Sequence, residues 1–226
     1  MKRTSRLLQG SVVISLFLFL CAAVPAGAAV ISWTDWVSLP TSTSATGTIF
    51  GGTVGVTYDG EIAFAQLGSG TNYWTEGTPA PYTGNTIVSN APTPAEMIAT
   101  NVADVTRSIT FTAPVLNPIL AIVSLGQSDL PVTYNFDQPF TVLSEGQGYW
   151  GDGTYTVVGD ILTGREFHGV LQFSGLISSI NWSSSPDEYW HGITVGAAPV
   201  PEPGTMMLLG SGLIGLAGIA RKKFRK

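Results

Sequence analysis

Cysteine is almost missing from this chain of 226 residues, and the single one, Cys21, lies in an N-terminal apolar stretch. From residue 29 onward there is none, which excludes disulfides and cysteine-ligated metals from the bulk of the chain. Positive charge is nearly as scarce. Three of the ten Lys and Arg residues stand before residue 7 and five after residue 220, so the stretch 29–200 holds only Arg107 and Arg165 against fourteen Asp and Glu, a net of −12. A surface of that sign repels phosphates and anionic headgroups, which argues against nucleic acid and anionic lipid as partners of the body. Histidine occurs only at 168 and 191, and no G-x-S-x-G, H-E-x-x-H or Gly-rich phosphate loop is present. The expectation is a protein that is not an enzyme.

The charges that are present sit at the ends and divide the chain into three. Lys2, Arg3 and Arg6 precede an apolar run over 12–23 and an Ala26-Gly27-Ala28 site, the pattern of a signal peptide over 1–28 handled by the Sec translocon and a signal peptidase. Leu20 before Cys21 is not the small residue that lipidation needs. At the other end, Val200-Pro201-Glu202-Pro203 leads into an uncharged run over 205–220 and then five basic residues among the last six. Sixteen residues of helix are about 24 Å long, short of the roughly 30 Å of a hydrocarbon core, but Arg221 and Lys222 can snorkel outward. The run is therefore expected to be a transmembrane helix with its basic end in the cytoplasm. Pro201 and Pro203 hold the backbone around Glu202 extended.

The order of an extended Val-Pro-Glu-Pro-Gly peptide, a short Gly-rich apolar segment and a basic cluster resembles the PEP-CTERM sorting signal of Gram-negative bacteria that make exopolysaccharide. The resemblance covers 199–226 and implies a partner, exosortase, acting near Pro201, Glu202 and Pro203. It also implies transient anchoring in the inner membrane before transfer to the cell surface or extracellular matrix. The plain alternative is an ordinary C-terminal anchor behind a proline-rich stalk.

Between the ends, 29–198 reads as one β domain. Val54, Val56 and Tyr58 alternate with small or polar residues, Asp59-Gly60 is a turn dipeptide, and 61–67 resumes the pattern, which predicts a hairpin. The stretch 31–45 reads as an edge strand or loop, and 68–90 as a long loop ordered by Tyr73, Trp74 and Tyr82. One short helix is expected over 93–99, with Thr93 as N-cap, Pro94 at the first position and Glu96 completing a capping box. The run 119–125 is apolar on both faces and should be a central strand covered on each side. About ten short strands separated by Gly, Pro, Asp and Asn turns predict an antiparallel β-sandwich or jelly roll. The stretch 111–196 also resembles β-sandwich ectodomains of surface-anchored bacterial proteins, which implies a fold and a setting but transfers no functional residue.

Two clusters join aromatic rings to polar groups: Tyr149, Trp150 and Asp152, and Glu188, Tyr189, Trp190 and His191. Rings that stack on a pyranose beside carboxylates that accept its hydroxyls suit weak carbohydrate binding, for example to exopolysaccharide in a biofilm. The plain alternative is that Trp150 and Trp190 close the ends of the sandwich. Asp152, Asp160 and Glu166 offer hard oxygens to calcium, though without a spaced acidic loop they read equally as turn residues. A different class of function, glycoside hydrolysis, would need a facing pair such as Asp152 and Glu188.

Overall fold

The computed structural model describes residues 27–200 and 211–212. The signal segment with Cys21, the Pro201, Glu202 and Pro203 motif and the basic end lie outside the described residues, as does the apolar run apart from 211–212. No helix among the described residues is long and apolar enough to cross a membrane.

In chain order the strands are β1 (Ser32–Trp33), β2 (Asp35–Thr41), β3 (Ser44–Ile49), β4 (Val54–Asp59), β5 (Phe64–Leu67), β6 (Glu96–Thr100), β7 (Arg107–Leu116) and β8 (Ile119–Leu125). They continue as β9 (Val132–Phe136), β10 (Phe140–Glu145), β11 (Thr154–Val158), β12 (Ile161–Arg165), β13 (Phe167–Phe173), β14 (Leu176–Ser185) and β15 (His191–Ala197). One sheet runs β10-β13-β8-β15-β6-β5 with β1 also on β15, and the other runs β11-β12-β9-β14-β7-β4-β3-β2. The paired strands are antiparallel throughout, and the inner faces close on one core containing Tyr58, Ile109, Tyr134 and Trp182 from one sheet and Leu120, Ile122, Ile193 and Val195 from the other. The antiparallel all-β sandwich is borne out, with sheets of seven and eight strands where about ten strands were expected in all.

Strand β8 is buried along its whole length. Because side chains alternate across a strand, Leu120 and Ile122 enter the inter-sheet core while Ile119, Ala121 and Val123 emerge on the outer face. There they meet Trp74, Tyr82 and Val88 from 68–90, so that this long segment forms a third layer. Its backbone is tied by short-range bonds: Glu76 Oε1 accepts Tyr82 N–H and Thr83 N–H at 2.9 and 2.7 Å, and Asn85 Oδ1 accepts Ile87 N–H and Val88 N–H at 2.9 and 2.8 Å. Burying a ring the size of Trp74 is worth roughly 2–3 kcal/mol, enough to hold a loop whose polar groups are already bonded.

Two expectations are corrected. The stretch expected to be a helix over 93–99 enters β6 instead. Its capping-box contacts do form, Thr93 N–H to the Glu96 carboxylate and Glu96 N–H to Thr93 O at 3.0 Å, but they close a turn that feeds a strand. Beyond that turn Met97 and Ala99 face the outer layer and Ile98 the inter-sheet core, and only an extended chain between β5 and β15 buries both sides. The predicted hairpin across Asp59-Gly60 is also absent. β4 pairs with β3 and β7 in one sheet, whereas β5 pairs with β6 in the other, so the bend carries the chain between layers. The hairpin partner of β4 is β3, joined through a 3-10 turn at Phe50–Gly52. The strand expected within 31–45 is β2, at the edge of the eight-stranded sheet.

The sheet change is held by Arg107, whose side chain is fully buried. Its guanidinium donates to Glu61 Oε2 at 3.3 Å, Ser184 Oγ at 2.9 Å and Val105 O at 3.1 Å, and to Val102 O. Glu61 Oε2 also accepts the Asn101 and Val102 amides. One ion pair thus fastens the crossover to the strands on either side. Arg107→Ala is expected to lower stability by about 3–5 kcal/mol, read from urea unfolding, because it strips partners from several buried acceptors at once. A loss under about 1 kcal/mol would show that the pair is dispensable.

Candidate functional site

The site begins with an irregularity in β8. Phe167 pairs with Leu125 and Gly169 with Ile122, so Val123 and Ser124 together face the single residue His168. A bulge of this kind re-aims side chains. Ser124 adopts φ 58°, in the left-handed region, and its amide donates to His168 Nδ1 at 3.2 Å. Across the strand end Glu166 is also left-handed, with φ 54°, and its Oε2 accepts the Ser124 hydroxyl at 2.7 Å. Gly126 follows at φ 77°: its N–H donates to Glu188 Oε1 at 3.1 Å and its carbonyl accepts Glu166 N–H at 3.2 Å. A Cβ at Gly126 would lie 2.3 Å from Gly164 O, so glycine is required where one backbone unit positions two carboxyl residues.

These groups surround a cleft of about 230 Å³ at one end of the sandwich. Trp150, Tyr189 and Trp190 form its apolar wall, and Glu166, Glu188, Ser124 and Gln127 its polar one. The two sequence clusters, separated by some 40 residues of chain, therefore converge. Tyr73 from the outer layer joins them, its ring 5.4 Å from that of Trp150 and nearly parallel, with an edge contact to Trp190 at 5.0 Å. Trp150 also lies near-parallel to His168 at 6.4 Å and edge-on to Tyr149 at 4.7 Å, while Phe64 supports Trp190 at 4.9 Å. Trp150 and Trp190 are thus braced by other rings, and Tyr189, 83% exposed, carries the open face.

Of the residues expected from sequence, Trp150, Glu188, Tyr189 and Trp190 line the cleft and Tyr149 flanks it. His191 lies behind, buried, with Nδ1 2.5 Å from Glu188 Oε1 and Nε2 2.8 Å from Thr100 Oγ1. Asp152 is exposed and not part of the lining, so the facing pair in this cleft is Glu166 with Glu188 and not Asp152 with Glu188. The calcium set is not assembled: Asp160 precedes β12 and Glu166 follows it, separated by about 20 Å of strand. Among the described residues no three His, Cys, Asp or Glu side chains gather as a metal site. Ser124, Gly126, His168 and the role of Glu166 escaped the sequence reading, since nothing local marks a bulge.

Electrostatics follow from burial. Desolvation raises the Glu166 carboxyl above its ordinary range, opposed by the Ser124 hydrogen bond and reinforced by the charge of Glu188. Desolvation also pushes His168 down to about 4, which keeps its ring neutral and able to accept the Ser124 amide.

The cleft and residue 197, where β15 ends, lie at opposite ends of that strand. β15 starts beside the cleft at His191 and ends at Ala197, where β1 pairs with it, roughly 20 Å away. Residues 199–223, which continue from that far end, match the family model of the PEP-CTERM protein-sorting motif. The chain carries that sorting motif. No curated protein and no solved structure matches it. The PEP-CTERM motif marks an exported protein recognised by exosortase and sorted to the cell surface.

The depressed His168 has a consequence for stability. Below its ordinary pKa of 6.5 the unfolded chain takes up a proton that the folded chain refuses until about pH 4. The His168 contribution is therefore complete above pH 6.5 and is lost as pH falls toward 4, by up to about 3 kcal/mol. Denaturant unfolding across that window should show a steeper acid loss for the parent than for His168→Asn; parallel curves would contradict a neutral buried ring.

Proposed function

We propose that the protein is a non-enzymatic surface or matrix component of an exopolysaccharide-producing Gram-negative bacterium, which binds carbohydrate through the Trp150, Tyr189 and Trp190 cleft. The observation that carries this reading is the convergence of two distant aromatic and acidic clusters on one cleft, at the end of β15 opposite the one from which the chain leads into 199–223. On this reading the Sec translocon and signal peptidase deliver the chain, the C-terminal span holds it briefly in the inner membrane, and exosortase processes it near Pro201, Glu202 and Pro203. The cleft then faces outward from the tether, into the biofilm matrix. Open rings supply apolar area for a sugar face and the carboxyl groups accept its hydroxyls. The cleft is smaller than the roughly 300–1,000 Å³ of sites that enclose a drug-sized ligand, which suits one ring of a longer chain held weakly.

Two measurements test the two halves of this reading. The intact mass of the mature protein should lack the C-terminal segment in cells with exosortase and retain it in cells without; identical masses would leave a plain anchor. Binding to a panel of exopolysaccharide fragments should weaken at least about tenfold in a Trp150→Ala, Trp190→Ala variant, since each ring accounts for about 1 kcal/mol or more of contact. Unchanged binding would remove the cleft from the role. New reducing ends released from the bound fragments, and lost in Glu166→Gln, would replace binding with a hydrolytic reading in which the raised Glu166 carboxyl is the acid.

A further inference from the structure

Resting on the carbohydrate reading of the cleft, a more selective property emerges from its charge balance. Glu188 is 1% exposed at its side chain, and its Oε1 is occupied by His191 Nδ1 and the Gly126 amide. Its Oε2 is buried without any hydrogen-bond partner although the residue lines the cleft. His191 spends its ring nitrogens on Glu188 Oε1, 2.5 Å from Nδ1, and on Thr100 Oγ1, 2.8 Å from Nε2, so it offers nothing to Glu188 Oε2. Glu166 Oε2 accepts from a neutral group, the Ser124 hydroxyl. Neither arginine of the body serves the site: Arg107 is committed to Glu61, and Arg165 Nη1 donates to Ser128 O at 3.0 Å.

A buried carboxylate oxygen without a donor is costly, and a ligand that supplies one gains accordingly. A hydroxyl supplies only the hydrogen bond. An ammonium supplies the charge and three N–H donors, and the aromatic wall that excludes water also attracts a cation. We propose that the cleft selects a cationic sugar, a hexosamine unit whose amine is free and protonated, with the ammonium bridging Glu188 Oε2 and Glu166. Burial is the main cause of the raised Glu166 carboxyl, and the charge of Glu188 adds to it.

The test compares a glucosamine oligosaccharide with its N-acetylated counterpart, at about pH 6 where an amine of this type is charged. The two share ring faces and hydroxyls and differ in the charge. With the full-length chain, titration calorimetry should give at least about tenfold tighter binding of the free-amine form. Glu188→Gln should erase that preference, leaving the two forms with equal affinity, and Glu166→Gln, which leaves the buried Glu188 network intact, should reduce it. Equal affinity for the two forms, or preference for the acetylated one, would overturn the cation assignment and leave carbohydrate binding standing. Failure of both forms and of neutral exopolysaccharide fragments would remove the carbohydrate reading too. A free-amine preference that survives in both variants would assign it to the acidic surface at large, against the cleft.

Discussion

A strand that is apolar on both faces must be covered twice, and β8 imposes that requirement on the whole domain. One cover is the eight-stranded sheet. The other is supplied by the outer segment 68–90 with Trp74, Tyr82 and Val88. The same segment brings Tyr73 against Trp150 and Trp190. Covering the core and assembling the aromatic wall of the cleft are therefore one event.

The cleft arises where β8 stops being regular. Pairing at β13 slips by one residue, Ser124 and Glu166 take left-handed backbones, and Gly126 bonds both glutamates. Backbone outliers of this kind cost about 1–3 kcal/mol each and persist only where the surroundings over-determine them. Here the His168 ring, the Ser124 hydroxyl and the Gly126 amide do so. The opposite end of the same strands is regular and holds β1 and the end of β15.

Part of this was legible in the residues. The double-sided burial of β8 is written in an unbroken apolar run, the ordering of 68–90 in its aromatics, and the candidate ligands at 149–150 and 188–190 in their composition. The helix expected over 93–99 shows the limit: three apolar residues after a capping box suit either helix or strand until neighbours are known. The capping contacts between Thr93 and Glu96 form in either case. The hairpin at Asp59-Gly60 failed likewise, since a turn dipeptide reports a bend and not which sheet the chain enters next. Asp152 looked equivalent to Glu188 in sequence, yet only one of them reaches the cleft.

The sequence by itself determined the destination and the class of fold. A proline-flanked acid, an apolar run and a basic end act through local order, and alternation of apolar residues with turn signals is enough to specify β-structure. Tertiary structure decided which strands share a sheet, where β8 bulges and that residues from 124 to 190 meet in one cleft. Those outcomes depend on pairing between strands far apart in the chain, where the energy resides in the contact and no single segment carries its partner's identity.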